Sequence, residues 1–199
     1  MGNREDLLAG ALRCLKEKGW ARTTVRDIAA AAGVNHAAIG YHFGSREDLL
    51  MAAFVQAMDE WGDEIGRAVA AVVDPTSSPR EQYEAMWEAT IESYKGSRQL
   101  WMASIEAGVQ AEYSPKVRAL LAGGVREGRM GFAAALSGVP EDSLDDETER
   151  TYGGVQMALM SGMVMQWMFD PDHAPSGKNV ADGIMALAAR IGADSPPST

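Results

Sequence analysis

The chain has 199 residues and a net charge of −10, with 46% hydrophobic and 23% charged residues. This composition is ordinary for a globular protein of one or two small domains. The single cysteine, Cys14, excludes an internal disulfide framework and a thiolate zinc site. The most apolar stretch, residues 155–169, is too short for a membrane span, and no basic segment precedes an apolar run at the N-terminus. We therefore expect a cytoplasmic protein without a secretory signal or a membrane partner.

The acidic charge is unevenly distributed along the chain. Residues 1–50 carry seven Lys/Arg and six Asp/Glu, a balance of +1, whereas residues 51–199 carry 11 and 22, a balance of −11. Local potential rather than net charge governs contact with phosphates. A compact N-terminal module can therefore still present a basic face to a nucleic acid.

Apolar spacing and capping residues predict four helices in the first 73 residues. Apolar side chains recur at three- and four-residue steps from Leu7 onward, and Gly19 ends this first helix. The predicted N-caps of the next three helices are Thr24, Asn35 and Ser45, and an aspartate follows three residues after the first and the last of these. Gly33 is suited to the left-handed position after the second helix. The fourth helix is expected from residue 46 to about residue 73.

The rest of the chain also predicts helices. A segment rich in Pro, Ser and Thr breaks the pattern at residues 74–79, and an acidic loop breaks it again at 137–146. Further helices are predicted at about 80–95, 98–112, 115–137, 147–169 and 178–192. The tail at 194–199 is expected to be disordered. The predicted fold class is all-α, with about nine helices and no strand.

The second and third helices have the pattern of a helix-turn-helix. A small residue, Ala29, a turn glycine, Gly33, and branched apolar residues at Val34 and Ile39 fit the close crossing of two such helices. Phe43-Gly44-Ser45-Arg46-Glu47-Asp48-Leu49 follows directly, and the stretch from Thr24 through Leu49 resembles the DNA-binding domain of the TetR family. The resemblance implies a ligand-responsive homodimer, usually a repressor, which binds a palindromic operator and has no cofactor and no catalytic activity. Separately, the three histidines are too dispersed along the chain to suggest a metal site. The resemblance divides the chain into a DNA-binding domain at 1–45 and a ligand-binding and dimerisation domain at 46–193.

The resemblance places a recognition helix from Asn35 to His42. N-terminal residues of such a helix reach furthest into the major groove. The residues expected nearest the base edges are Asn35, His36, Ala37 and Ala38, although His36 is also suited to a solvated surface. The positions that usually hold phosphates are Thr24, Tyr41, His42 and Arg46. Arg22 and Arg26 are phosphate candidates on charge alone, with ordinary surface charges as the alternative. Gly40 departs from the tyrosine frequent in the family, and it weakens the helix by up to about 1 kcal/mol relative to Ala.

Large flexible apolar side chains are concentrated after residue 80. Core and dimer interface explain most of them, but Met and Trp are also suited to a pocket for a small hydrophobic or aromatic effector. The apolar candidates are Trp87, Trp101, Met102 and Met160, and the polar candidates are Glu106, Gln110 and Gln156.

The resemblance further implies that the last two helices pair with their copies as a four-helix bundle. Small residues on the first of these helices permit close approach, and apolar residues form a stripe on the second. The small residues are Gly153, Gly154, Ala158, Ser161 and Gly162, and the stripe comprises Val180, Ile184, Leu187, Ala188 and Ile191.

Other classes of function stay open to different degrees. A Gly-rich phosphate loop, a nucleophile elbow and paired metal ligands are absent from the sequence, so we do not expect an enzyme. The alternatives to a ligand-released repressor are a regulator that activates transcription or needs no ligand, and a helical protein-interaction module.

Overall fold

The computed structural model describes residues 3–193, a range that contains helices and no strand. The predicted all-α fold class is therefore confirmed, while the predicted tail at 194–199 lies outside the described residues. A 3₁₀ turn at Glu141–Ser143 precedes α8, and one π-helical turn at Glu149–Gly153 joins α8 to α9. In chain order the helices are α1 Asn3–Lys18, α2 Val25–Ala32, α3 Ala37–Phe43, α4 Arg46–Val72, α5 Pro79–Gly96, α6 Arg98–Tyr113, α7 Pro115–Ser137, α8 Asp146–Thr148, α9 Gly154–Phe169 and α10 Gly177–Gly192.

The described residues form two compact units. The first unit contains residues 3–61 and 97–162, and the second contains residues 62–96 and 163–193. The helices α4 and α9 each contribute residues to both units. The predicted boundary between residues 45 and 46 separates DNA binding from ligand binding, and this functional division stays a prediction.

Local capping explains where the first helices begin and end. The Thr24 hydroxyl accepts a hydrogen bond from the Asp27 backbone N–H at 3.1 Å, and the Asp27 carboxylate accepts one from the Thr24 N–H at 2.8 Å. Gly33 ends α2 with a φ of 68°. The Ser45 hydroxyl accepts from the Asp48 N–H at 2.9 Å at the start of α4. These contacts confirm the predicted caps, since each satisfies an N–H or C=O that a helix end leaves without a partner.

The crossing of α1 and α2 is close because a glycine lies at the contact. A Cβ atom at Gly10 would be 3.0 Å from the Cβ of Ala32 and 3.0 Å from the carbonyl oxygen of Ile28. Leu7 and Leu15 on the same side of α1 are fully buried. This packing fixes the N-terminal helices as the scaffold for α3.

The third helix begins two residues later than the sequence predicts. It starts at Ala37, and the residue before it, His36, makes no side-chain cap. Asn35 still acts on the helix start, because its side-chain oxygen accepts a hydrogen bond from the Ala37 N–H at 2.9 Å. The first turn is tight, with the Ala38 N–H bonded to the Asn35 carbonyl three residues earlier.

The predicted helix at 147–169 is interrupted by the π-helical turn. Gly153 lies against the backbone of α7, where an added Cβ would be 2.1 Å from the carbonyl oxygen of Arg129. Glu149 at the start of this turn is buried, and its carboxylate accepts hydrogen bonds from the guanidinium of Arg129 at 2.9 and 3.0 Å. The extra residue of the π turn brings Gly153 and Glu149 to the same neighbouring helix.

Candidate DNA interface and effector site

The outward face of α3 carries the residues that the sequence assigns to DNA. Asn35, His36 and Ala37 are exposed, and Tyr41 is 86% exposed. On the opposite side of the same helix, Ile39 is only 3% exposed. The helix therefore presents its predicted base-reading end and Tyr41 to solvent, as a recognition helix requires.

Aromatic side chains make contacts in the last turn of α3. At its C-terminal end, the Arg4 guanidinium lies 5.1 Å from the centre of the Phe43 ring. The rings of Tyr41 and His42 meet edge to face with centroids 4.9 Å apart. His42 is half-buried, whereas Tyr41 projects into solvent. Of these two predicted phosphate contacts, Tyr41 is the better exposed.

Arg46 forms hydrogen bonds with the loop between α1 and α2. Its Nε donates to the Thr23 carbonyl at 2.5 Å, and its Nη2 donates to the Trp20 carbonyl at 2.6 Å. Its Nη1 lies 2.9 Å from the Glu47 carboxylate. A phosphate contact by Arg46 stays a prediction, and it would compete with these three acceptors.

Most basic side chains of the N-terminal helices already have partners within the first unit. Among the described residues up to 50, Arg26 is the one Lys or Arg side chain without a hydrogen bond, ion pair or ring contact, and it is exposed. The partnered side chains are Arg4, Arg13, Lys16, Lys18, Arg22 and Arg46. Arg26 is therefore the best-placed additional phosphate contact.

The predicted phosphate contact Thr24 is also part of an ionic cluster. Its hydroxyl donates to Asp27 at 2.6 Å, and the Lys18 ammonium lies 2.5 Å from the same carboxylate. The Lys18 ammonium, followed by the Thr24 hydroxyl and N–H, holds the pKa of Asp27 well below its usual range. The cluster keeps Thr24 at the start of α2 in a fixed orientation.

A contact between α7 and the start of α4 was not predicted from the sequence. The Lys116 ammonium lies 2.5 Å from the Asp48 carboxylate, which also accepts a hydrogen bond from the Ser45 hydroxyl at 2.8 Å. Lys116, and then Ser45, lower the pKa of Asp48. The two residues are 68 positions apart, so no local pattern could have revealed the pair.

The candidate effector residues are divided between the two units. Trp87 lies in the second unit, and it is fully buried with its ring centroid 6.4 Å from that of Tyr83. The remaining candidates lie in the first unit. Trp101 is buried edge-on against Trp61, with ring centroids 4.8 Å apart, and Met160 is 8% exposed. These positions are those of core residues, and their contact with a ligand stays a prediction.

The half-buried candidates lie together on α6. Met102, Glu106 and Gln110 follow one another at four-residue steps, so their side chains project from the same side of the helix. The other polar candidate, Gln156 on α9, is 4% exposed. None of the described helices combines the length and the apolar character needed to cross a membrane.

Comparison with known proteins identifies the relatives of this chain. A family model described as bacterial regulatory proteins, tetR family, matches residues 7–53. The chain is 30% identical over 142 residues to the transcriptional regulator BetI of Agrobacterium fabrum, an alignment that covers 70% of this chain and 67% of that protein. A shorter segment of the chain is more similar to another regulator. It is 42% identical over 50 residues to the transcriptional repressor AcnR of Corynebacterium glutamicum, covering 25% of this chain and 27% of that protein.

Other BetI proteins are matched over a smaller part of their length. The alignments span 59% of BetI from Brucella anthropi and 56% of BetI from Rhizobium meliloti. These relatives are named as transcriptional regulators, in agreement with the expectation that the chain is not an enzyme.

Solved structures share the fold over nearly the whole chain. The multidrug binding protein EbrR complexed with proflavin is 23% identical, with a TM-score of 0.68 over 94% of this chain and 99% of that chain. A TetR transcription regulator from Haloarcula marismortui is 18% identical, with a TM-score of 0.63 over 95% and 97%. At these identities the likeness shows the fold alone.

Proposed function

Since the chain belongs to the tetR family of bacterial regulatory proteins, we propose that it is a cytoplasmic, operator-binding transcriptional repressor. It acts as a homodimer on a palindromic operator, and a small effector releases it from the DNA. The observation that carries the proposal is the orientation of α3, with Tyr41 at 86% exposure and Ile39 at 3%.

The pairing of the cations on the N-terminal helices determines which contacts with DNA contribute most to affinity. Most of their cations are engaged within the protein, so bulk attraction to the duplex is weak. Affinity then depends on hydrogen bonds from α3 to base edges and on a small number of phosphate contacts. Asn35 and His36 are the side chains with donors and acceptors at the base-reading end.

The exposed apolar faces of α9 and α10 support a homodimer. Along α9 the exposed positions are spaced by three and four residues, the repeat of a helix that packs lengthwise against another. In a single chain this stripe faces solvent, as does the C-terminal half of α10. The stripe on α9 comprises Val155, Ala158, Gly162, Met165 and Phe169, and the exposed apolar residues on α10 are Met185, Leu187, Ala188 and Ile191.

Release by an effector requires a path from the ligand to α3. The helix α4 follows α3 after two residues, and its start is tied to α7 through Asp48 and Lys116. A ligand that binds more tightly to one arrangement of these helices shifts the population toward it. We propose that, in the effector-bound arrangement, the distance between the two recognition helices of the dimer does not match the spacing of the operator half-sites.

Selection from random duplex DNA tests the proposal without a known operator. The purified protein is expected to enrich palindromic sites, and binding to an enriched duplex is then measured by fluorescence anisotropy. Tyr41→Ala is expected to weaken binding about tenfold or more, because it removes an exposed contact on α3. Tyr113→Ala is the matched control, since Tyr113 is 80% exposed on α6, and it should bind as the wild type does. The absence of any enriched sequence, or equal losses for both variants, would contradict the proposal.

A further inference from the structure

The guanidinium of Arg46 connects the loop between α1 and α2, residues 19–24, to the start of α4. Arg46 is the first residue of α4, and its side chain is 22% exposed. Its Nε donates to the Thr23 carbonyl at 2.5 Å, and its Nη2 donates to the Trp20 carbonyl at 2.6 Å. Two charge-assisted hydrogen bonds to carbonyls of the same loop restrict its position more than one such bond would.

The peptide group between Thr23 and Thr24 is held on both sides. Its carbonyl accepts the bond from Arg46, and its N–H donates to the Asp27 carboxylate at 2.8 Å. Because a peptide group is planar, hydrogen bonds on its two opposite sides fix its orientation. Arg46 and Asp27 together therefore determine how the chain enters α2.

The residue that follows this carbonyl, Thr24, is a predicted contact with DNA. The side chains before it are anchored independently of Arg46. The Thr23 side chain is fully buried, and the Trp20 ring packs edge to face against Phe54 of α4, with ring centroids 6.5 Å apart. Loss of the Arg46 hydrogen bonds would therefore chiefly turn the peptide group before Thr24.

The Arg46 guanidinium has few donors left for a phosphate. All three of its nitrogens have an acceptor within the protein, since Nη1 lies 2.9 Å from the Glu47 carboxylate. These contacts engage three of the five N–H donors that arginine carries. The Glu47 carboxylate also repels a phosphate that approaches the same guanidinium.

We infer that Arg46 is a positioning residue for operator binding, which orients the peptide group before Thr24 and does not itself contact a phosphate. Through this peptide group Arg46 sets the position of Thr24 and of the start of α2. The inference rests on the proposed operator binding, and it replaces the phosphate contact that the family resemblance implies for Arg46.

Arg46→Lys separates the two roles by keeping the positive charge. A lysine can still contact a phosphate, but its ammonium does not reproduce the planar pair of hydrogen bonds to the Trp20 and Thr23 carbonyls. Arg46→Lys is therefore expected to weaken binding to the selected duplex about tenfold, because at least one hydrogen bond from a charged group is lost. An affinity equal to that of the wild type would overturn the inference.

Arg46→Gln gives a second readout, the salt dependence of operator binding. This variant is expected to bind about tenfold more weakly than the wild type, with the same slope of log K against log salt concentration. Arg26→Gln is the matched control, since Arg26 is exposed and the loss of a phosphate contact there should lower the slope by about 1. A fall of about 1 in the slope for Arg46→Gln would show a phosphate contact and overturn the inference.

A double-mutant cycle with Thr24→Ala tests whether Arg46 acts through Thr24. The losses in affinity from Arg46→Lys and Thr24→Ala should be less than additive, because both remove the same contact with DNA. Additive losses would overturn the inference. Binding is measured well below the melting temperature of each variant. A lower melting temperature with unchanged affinity would show that Arg46 serves folding alone, and this result too would overturn the inference.

The wild type in the same experiments separates this inference from the proposed function. A wild type that enriches no duplex contradicts the repressor proposal, and the inference fails with it. A wild type that binds its selected duplex, together with an Arg46→Lys variant of equal affinity, contradicts the positioning role alone.

Discussion

At the scale of single residues, the cations of the N-terminal helices are mainly structural. Arg46 joins α4 to the loop before α2 through the Trp20 and Thr23 carbonyls, and Lys18 is bound to Asp27. A guanidinium with three internal acceptors is less available to a phosphate than its position in the sequence suggests. Arg26 is exposed and has no such acceptor among the described residues.

Arg26→Ala is expected to make operator binding less sensitive to salt. Each phosphate contact that is lost lowers the slope of log K against log salt concentration by about 1. The measurement is anisotropy with the selected duplex from low to moderate salt. Lys16→Ala is the control, because Lys16 is paired with Glu60 at 2.6 Å and should leave the slope unchanged. Identical slopes for the wild type and Arg26→Ala would exclude a phosphate contact.

The Asp27 cluster predicts a pH dependence of stability. The pKa of Asp27 is lower in the folded protein than in the unfolded chain. As the pH falls, the unfolded chain therefore binds more protons than the folded protein does. The contribution of the Asp27 carboxylate to the free energy of unfolding is complete above its pKa in the unfolded chain, about 4. This contribution is lost as the pH falls through the pKa in the folded protein. Asp27→Asn should therefore be less stable than the wild type at pH 7, and the gap should narrow below about pH 4.

Urea denaturation midpoints from pH 7 to pH 2 measure this gap. Asp63→Asn is the comparison, since Asp63 is exposed on α4 and has no ion pair among the described residues. If the difference in urea midpoint between the wild type and Asp27→Asn stays constant from pH 7 to pH 2, the negative charge of Asp27 does not contribute to stability.

At the scale of elements, the junction of α8 and α9 differs most from the sequence-based expectation. The apolar spacing predicts one continuous helix, but the structure inserts a π turn where α7 approaches the backbone of Gly153. A π turn adds one residue to the helix and changes which side chains face inward. The position of the π turn depends on Arg129, which lies in α7. The apolar periodicity of residues 147–169 therefore does not indicate the turn.

Gly153→Ala is expected to destabilise the protein by about 1–3 kcal/mol or more, because the added methyl overlaps the Arg129 carbonyl and the helices must move apart. Gly154→Ala is the matched control, since its Cβ would be 3.9 Å from the nearest atom, the Glu149 carbonyl oxygen. It should be neutral or stabilising by up to about 1 kcal/mol from helix propensity. Chemical denaturation measures the free energy of unfolding of both variants. Equal values would show that α7 and the π turn move apart at no cost in free energy.

At the scale of the whole molecule, the exposed apolar residues of the last two helices indicate an assembly. Phe169 is 70% exposed on α9 and Leu187 is 62% exposed on α10. Apolar residues repeated along two helix faces are unusual on the surface of a monomer. We propose that a two-fold pairing with a second copy of the chain buries these faces.

Phe169→Glu combined with Leu187→Glu is expected to convert a dimer into a monomer in sedimentation velocity experiments. Each glutamate would face its own copy or an apolar neighbour across the two-fold axis, where a buried unpaired charge is strongly unfavourable. Leu120→Glu, at a 43% exposed position on α7, is the control and should remain dimeric. A monomeric wild type, or a double variant that stays dimeric, would contradict the proposed interface.

The sequence by itself determined the family, the caps at Thr24 and Ser45, and the helices outside the start of α3 and the junction of α8 and α9. The capping box at Thr24 and the serine cap at Ser45 each join residues three positions apart, and apolar periodicity is read within one helix. The exposed face of α3 also followed from local pattern, because a helix that buries Ile39 must turn Tyr41 outward.

Tertiary structure decided which polar groups find partners. Arg46 meets Trp20 across 26 residues, Lys116 meets Asp48 across 68, and Glu149 meets Arg129 across 20. These pairings depend on which helices pack together, a property that no single segment encodes. The sequence therefore predicted a DNA-binding face on α3, whereas only the packing of the helices decided which distant polar groups pair.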